Sequence, residues 1–305
     1  MLTFVGLGLY DEQSVTVAAR EALRSCDRAF AEFYTSDLAG TTAADLTAAH
    51  DIDVDVEVRD RAGVERDPEP ILSAAERADV CFLAAGDAMV STTHVDLRLR
   101  AEERGIDTRV VHGVSAASAV PGLCGLQNYR FGKAVTLPFP DAHGAGAVPP
   151  SVVESAEANL DRGLHTLVYL DITADDEQRA RRAERDAQGA GRERGRRGGA
   201  GPANGATGAG GSDDERRGTY MTGDVAAGLL AEGWADRLGV VVARAGSSDP
   251  VVAADRLSAL ADRTFGGPLH ALVLPGSLHH VERSALATLA GAPEDVLEAH
   301  DESNG

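Results

Sequence analysis

The first half of the chain alternates short apolar runs with longer stretches of helical period. Leu2–Leu7, Ala29–Tyr34, Val80–Ala85 and Thr108–His112 are runs that predict strands, and the unbroken run 80–85 is the pattern of a strand buried on both faces. Ile52–Val58 instead alternates Ile/Val with Asp/Glu, which predicts an edge or half-exposed strand. Helices are predicted between these runs. One covers Ser14–Cys26, capped by Ser14, with Val15, Val17, Ala18 and Leu23 inward; another covers Ala43–Ala49. A third runs from Pro68 and Pro70 to about Ala78, and a fourth, carrying Val95, Leu97 and Leu99, is capped by Thr92 or Thr93. This β-α-β-α rhythm predicts a mostly parallel sheet flanked by helices.

Beyond His112 the pattern changes. Small residues from Gly113 to Gly122 predict a helix with Ser115 near its start. Strands are predicted at Lys133–Leu137, His165–Leu170, Leu238–Ala243 and Leu269–Leu274. Helices are predicted at Ser151–Arg162, Thr222–Glu232, Val252–Leu260 and His280–Leu289. The break near 112–118 predicts two domains, 1–113 and 114–305. Residues 174–218 stand apart, first dense in Arg, Glu and Gly and then low-complexity Gly/Ala; such a segment buries too little apolar surface to offset its ordering entropy, so a surface insertion is expected.

Composition adds constraints. The 305 residues carry a formal charge of −19 with carboxylates spread along the whole chain, and Lys133 is the single lysine. Diffuse acidity with few aromatics fits a protein adapted to high salt, and it argues against a nucleic-acid partner, which would need a basic face. Cys26, Cys81 and Cys124 show no ligand spacing, as expected of buried thiols in a reducing cytoplasm. No apolar run reaches the length of a membrane span, so no membrane partner is expected. Adjacent His279 and His280 point in different directions on a helix and find no third ligand, so no metal site is predicted.

Candidate chemistry gathers where strands end, since ligands of open α/β sheets sit beyond the carboxyl ends of the strands. Gly6-Leu7-Gly8-Leu9-Tyr10 follows the first strand, and its glycines admit close approach of a ligand to the backbone. A dinucleotide fingerprint would need a third glycine where Asp11 stands. Gly86-Asp87-Ala88-Met89-Val90 ends the central strand. Asp87 there is either a local cap or an acceptor for a bound nucleoside, and in the second role its loss should leave the apo protein's stability unchanged. His112-Gly113-Val114-Ser115-Ala116 follows the adjacent strand. In the second half, Leu170-Asp171, Arg244-Ala245-Gly246-Ser247 and Pro268-Leu269-His270 repeat the device. His270 taken alone reads as a buried histidine bonded to backbone.

Val-Gly-Leu-Gly-Leu-Tyr-Asp-Glu (5–12), Ala-Glu-Phe-Tyr-Thr-Ser (31–36), Gly-Asp-Ala-Met-Val-Ser-Thr-Thr-His (86–94), His-Thr-Leu-Val-Tyr-Leu-Asp-Ile (165–172), Tyr-Met-Thr (220–222), Ala-Arg-Ala-Gly-Ser (243–247) and Pro-Gly-Ser-Leu-His (275–279), in this order, resemble the archaeal diphthine synthases. Those enzymes belong with the tetrapyrrole-methylase-like S-adenosylmethionine methyltransferases. The resemblance implies two α/β domains with S-adenosyl-L-methionine in the cleft between them, and a cytoplasmic homodimer. It implies as substrate the 3-amino-3-carboxypropyl-histidine of elongation factor 2, trimethylated on its amine to diphthine. The family's cofactor contacts fall on Leu9, Asp87, Val90, Ser115, Ala116, Leu170, Ala245 and His270. Two departures stand out: Ala88 replaces the family's proline after Gly-Asp, and Ala116 replaces an isoleucine. A corrinoid or porphyrin-precursor methyltransferase of the same fold, or a cofactor-binding module without turnover, are the alternatives; the first would be expected to carry Gly-Pro-Gly-Asp where this chain has Leu-Tyr-Asp-Glu. The sequence assigns no general base.

Overall fold

The four apolar runs of the first half align side by side. In the computed structural model, which describes residues 1–140, 148–173 and 219–304, strands Leu2–Gly6 (β1), Arg28–Glu32 (β2), Val56–Val58 (β3), Val80–Ala84 (β4) and Thr108–Val111 (β5) form one sheet in the order β3-β2-β4-β1-β5. Every pairing is parallel. Gly6 and Glu32 both lie opposite Ala84, so the carboxyl ends of β1, β2 and β4 are level. β1 and β4 are buried at every position, Thr3 included, while β3 is an exposed edge. Helices Val17–Ser25 (α1), Ala43–Ala49 (α2), Glu69–Ala75 (α3) and His94–Glu103 (α4) connect them. α1 is capped by Thr16, whose hydroxyl accepts from the Ala19 amide, and not by Ser14. Ser14 ends a short 3-10 turn and donates to the Leu9 carbonyl.

Further along the chain come Ala116–Cys124 (α5), Val135–Leu137 (β6), Pro150–Leu160 (α6), Thr166–Leu170 (β7), Ile172–Thr173 (β8), Thr219–Tyr220 (β9), Gly223–Trp234 (α7), Leu238–Ala243 (β10), Val251–Arg256 (β11), Leu257–Ala261 (α8), His270–Leu274 (β12), His280–Leu289 (α9) and Glu294–Asn304 (α10). The second sheet has the order β11-β10-β12-β7-β6 and is mixed: β10 lies antiparallel to both neighbours, β12 antiparallel to β7, and only β6–β7 is parallel. Alternate residues serve its two faces. Val241 packs with Leu230, Leu257 and Leu272 on one side, and Val240 and Val242 pack with Val120, Leu286 and Leu297 on the other. Met1–Asp171 and Tyr220–Gly305 together form one compact unit. The insertion expected at 174–218 lies outside the described residues.

Two elements differ from expectation. The helix predicted at Val252–Leu260 is a strand, β11, followed by the short α8. Residues 251–256, Val-Val-Ala-Ala-Asp-Arg, make too short and mixed a run to read as a strand alone, but they pair with β10 at six successive positions, and cross-strand pairing decides their state. Helix α10 had no predicted counterpart. It is mostly acidic and is held through Val296, Leu297 and His300, all buried.

Candidate functional site

At the carboxyl end of the first sheet three loops are pinned together through glycine. The Gly8 amide donates to the Gly86 carbonyl (3.0 Å) and the Gly86 amide to the Gly8 carbonyl (2.7 Å), which joins the loops after β1 and β4. A side chain at Gly6 would stand 2.6 Å from the Gly113 nitrogen and 2.7 Å from the Gly86 carbonyl oxygen, so the loop after β5 closes on the same point. Gly86 itself, at φ +72°, has open space in the direction a side chain would take, with Ser115 Cα nearest at 4.0 Å. Ser115 stands at the N-cap of α5, yet its hydroxyl makes no capping bond. The open side of Gly86 thus faces the Ser115 end of α5, and the same loops carry half-buried Ala116 and exposed Val90 and Val114.

Asp87 is 6% exposed. Its Oδ1 accepts from the Met89 amide (2.8 Å), and its Oδ2 accepts from the Gly113 amide (3.3 Å) and from Nδ1 of His112 (2.8 Å). The carboxylate is thus engaged by three donors of its own chain, and two of them, the Gly113 amide and the His112 ring, tie the β4 loop to the β5 loop, which runs against the expectation that apo stability is independent of Asp87. His112 stands in one of the candidate loops, but the sequence gives it no role of its own. Nothing in the sequence reveals that a side chain 25 positions away meets Asp87.

The other flank of the β4 loop rests on a buried pair. His94 Nδ1 lies 2.8 Å from the Ala88 carbonyl, and its Nε2 faces Glu32 Oε1 at 3.3 Å, both side chains being fully buried. Glu32 also accepts from the Tyr34 and Thr35 amides, each at 3.0 Å, and from the Thr35 hydroxyl. The loop carrying Asp87 is thereby fixed from β5 on one side and from β2 on the other. Thr93 opens α4 but turns its hydroxyl to Glu65 instead of capping the helix.

At the second sheet, Leu170 ends β7, His270 begins β12, and Ala243, which ends β10, lies opposite His270. Ala245 follows two residues later, so Leu170, Ala245 and His270 share one end of this sheet. The His270 ring is buried. Nδ1 accepts from the Gly223 amide (2.9 Å) and Nε2 lies 2.9 Å from the Gly267 carbonyl; burial holds the ring below the ordinary histidine range. This ring is committed to backbone. Gly246, at φ +96°, backs directly on Leu9: a side chain there would stand 2.5 Å from Leu9 Cβ. The two sheet ends meet at that contact. His279 caps α9, its amide donating to Glu282 Oε2 at 2.8 Å and its Nδ1 facing the Val281 amide at 3.4 Å.

Comparison with known proteins places this arrangement. Residues 1–191 match the family described as Tetrapyrrole (Corrin/Porphyrin) Methylases. A diphthine synthase of Halorubrum lacusprofundi is 61% identical over 98% of this chain and 100% of its own length. That of Halobacterium salinarum is 59% identical over 97% and 100%. A crystal structure of a diphthine synthase superposes with a TM-score of 0.76 at 30% identity, covering 97% of this chain and 98% of that one. A putative diphthine synthase from Entamoeba histolytica gives 0.73 at 28%, covering 96% and 99%. Near-complete coverage at this identity, on two α/β sheets joined at their loop ends, means that the chain belongs to the diphthine synthase family of methyltransferases, with the tetrapyrrole methylase fold.

Proposed function

We propose that the protein uses S-adenosyl-L-methionine to methylate the amino group of the 3-amino-3-carboxypropyl-histidine of elongation factor 2, three times, giving diphthine. The observation that carries this reading is the meeting of the two sheet ends at Leu9 and Gly246, which gathers the positions of Leu9, Asp87, Val90, Ser115 and Ala116 from one sheet and Leu170, Ala245 and His270 from the other. The residues suit such a cofactor: the open side of Gly86, the uncommitted Ser115 hydroxyl and the α5 amides offer polar contacts, and Leu9 and Leu170 offer apolar ones. His270, with both ring nitrogens engaged, contributes its backbone or ring edge. The matching domain division is 1–113 and 114–305; α5 supports it by packing Val120 and Cys124 with the second sheet's core. A cytoplasmic homodimer, with neither membrane nor nucleic acid as partner, completes the reading.

The cofactor supplies an electrophilic methyl group. The protein's part is to align the amine with it and exclude water, because an oriented encounter removes most of the entropic barrier. Repeated transfer to one nitrogen needs room for growing bulk. Ala116 and Ala245, both half-buried, leave that room, whereas Ala88 is fully buried beneath the loop. Incubation with labelled cofactor and elongation factor 2 bearing the unmethylated side chain tests the reading. Incorporation of three methyl groups on that nitrogen is expected. Absence of transfer, or transfer to a porphyrin or corrinoid precursor instead, overturns it.

A further inference from the structure

We infer that His112 is the general base that takes the proton from the substrate amine before each methyl transfer, with Asp87 holding its ring; this rests on the methyltransferase reading above. The geometry has three parts. Asp87 is buried and fixed by the Met89 and Gly113 amides, so it offers the imidazole a rigid anchor. The ring binds that carboxylate through Nδ1, at 2.8 Å, which places the ring proton on Nδ1 and leaves the lone pair of the neutral ring on Nε2. The side chain is 73% exposed, and Nε2 has no hydrogen-bond partner among the described residues. Asp87 is also the one charged group paired with the ring among those residues. His112 follows β5 in the loop that carries Ser115, and its ring is joined to Asp87 in the loop after β4, so the ring stands at the strand ends where the cofactor is proposed to lie.

The chemistry calls for such a group. An alkylamine is an ammonium ion near neutral pH and has no lone pair with which to attack. Trimethylation removes three protons in all, one before each transfer. In each round an N–H bond of the ammonium breaks, the proton moves to Nε2, and the electron pair stays on nitrogen. That pair forms the new N–C bond while the C–S pair leaves with sulfur, so the positive charge passes from sulfur to nitrogen. The imidazolium then gives its proton to water. A base that must be reset between rounds needs contact with solvent, which an exposed ring has and buried Glu32, His94 and His270 lack. The last product, a quaternary ammonium, has no proton to lose and ends the sequence.

His112→Gln tests the assignment, since an exposed ring can be replaced without disturbing the core. At saturating cofactor and substrate, kcat is expected to fall about 10²-fold or more, with cofactor affinity by calorimetry unchanged. The residual rate should climb about tenfold per pH unit as free amine accumulates, while the wild-type rate levels off. Independently of turnover, nitrogen-15 spectra of the histidine-labelled apo protein at pH 8 should show His112 protonated at Nδ1 and bare at Nε2. An unchanged kcat, a loss confined to cofactor affinity, or a proton on Nε2 overturns the inference. Wild type assayed in parallel keeps the two readings apart: failure of wild type itself overturns the proposed function, and the inference with it.

Discussion

Asp87 is bound on three sides by its own chain, and this changes what its removal should do. Replacement by alanine strands the Met89 and Gly113 amides in a site that is 6% exposed, and it frees the His112 ring. A buried donor left without an acceptor costs about 1–3 kcal/mol. Asp87→Ala should therefore lower the apo protein's unfolding free energy by about that amount, measured by urea denaturation without cofactor. An apo stability equal to wild type would mean that water replaces the carboxylate, and that the two loops do not depend on it. Glu32 serves the opposite flank of the same loop. Its carboxylate accepts from the Tyr34 and Thr35 amides and the Thr35 hydroxyl and faces His94 Nε2 across 3.3 Å without a hydrogen bond, so it is engaged inside the fold.

Among the elements, three buried histidines act as ties. His165 Nδ1 accepts from the Gly276 amide at 3.0 Å, His300 Nε2 bonds the Gly276 carbonyl at 2.9 Å, and His270 accepts from the amide that opens α7. Burial holds all three below the ordinary histidine range. Their folded pKa values are thus lower than the unfolded ones, and the unfolded chain binds more protons below about pH 6.5. Their contribution is fully present above that pH and is lost as pH falls. Unfolding free energy should drop between about pH 6.5 and 5, with a slope of up to about 1.4 kcal/mol per pH unit for each ring. Glu282 stays outside this window: its burial is outweighed by hydrogen bonds from the Gln127 and His279 amides and from His165, which hold it below the ordinary carboxylate range. A flat profile between pH 6.5 and 5 at constant salt would reject the assignment.

The same elements show what the sequence could convey. Strands buried on both faces, β1 and β4, were legible because their runs are apolar throughout (β4) or but for Thr3 (β1), and the strand-end rule then pointed to Asp87 and Ser115. β11 was not legible, since its short Val-Val-Ala-Ala-Asp-Arg run becomes strand by pairing with β10. α10 was not, because three buried contacts hold an otherwise acidic segment. His112 escaped for a related reason: a pair joined across two strand ends leaves no spacing in the chain.

For the whole molecule, charge is the governing quantity. The chain carries −19, and ten of its 29 basic residues fall within 174–218, so the rest of the chain is left with a still greater excess of carboxylate. Its arginines are shared accordingly. Arg283 meets both Glu294 and Asp301, and Arg104 meets both Glu69 and Glu76. Exposed pairs of this kind contribute little each, about 0–1 kcal/mol, and cannot offset repulsion among the remaining acids. That repulsion is long-ranged in dilute salt, where the Debye length is about 30 Å at 0.01 M, and short-ranged at about 3 Å in 1 M salt. The relatives from Halorubrum lacusprofundi and Halobacterium salinarum fit a protein that meets concentrated salt where it works. The thermal unfolding midpoint should therefore rise steeply with potassium chloride from about 0.1 to 2 M, past the point where screening of neighbouring charges is complete. Calorimetry across that series measures it. A midpoint independent of salt would show that the carboxylates are compensated locally, and it would leave the methyltransferase assignment untouched.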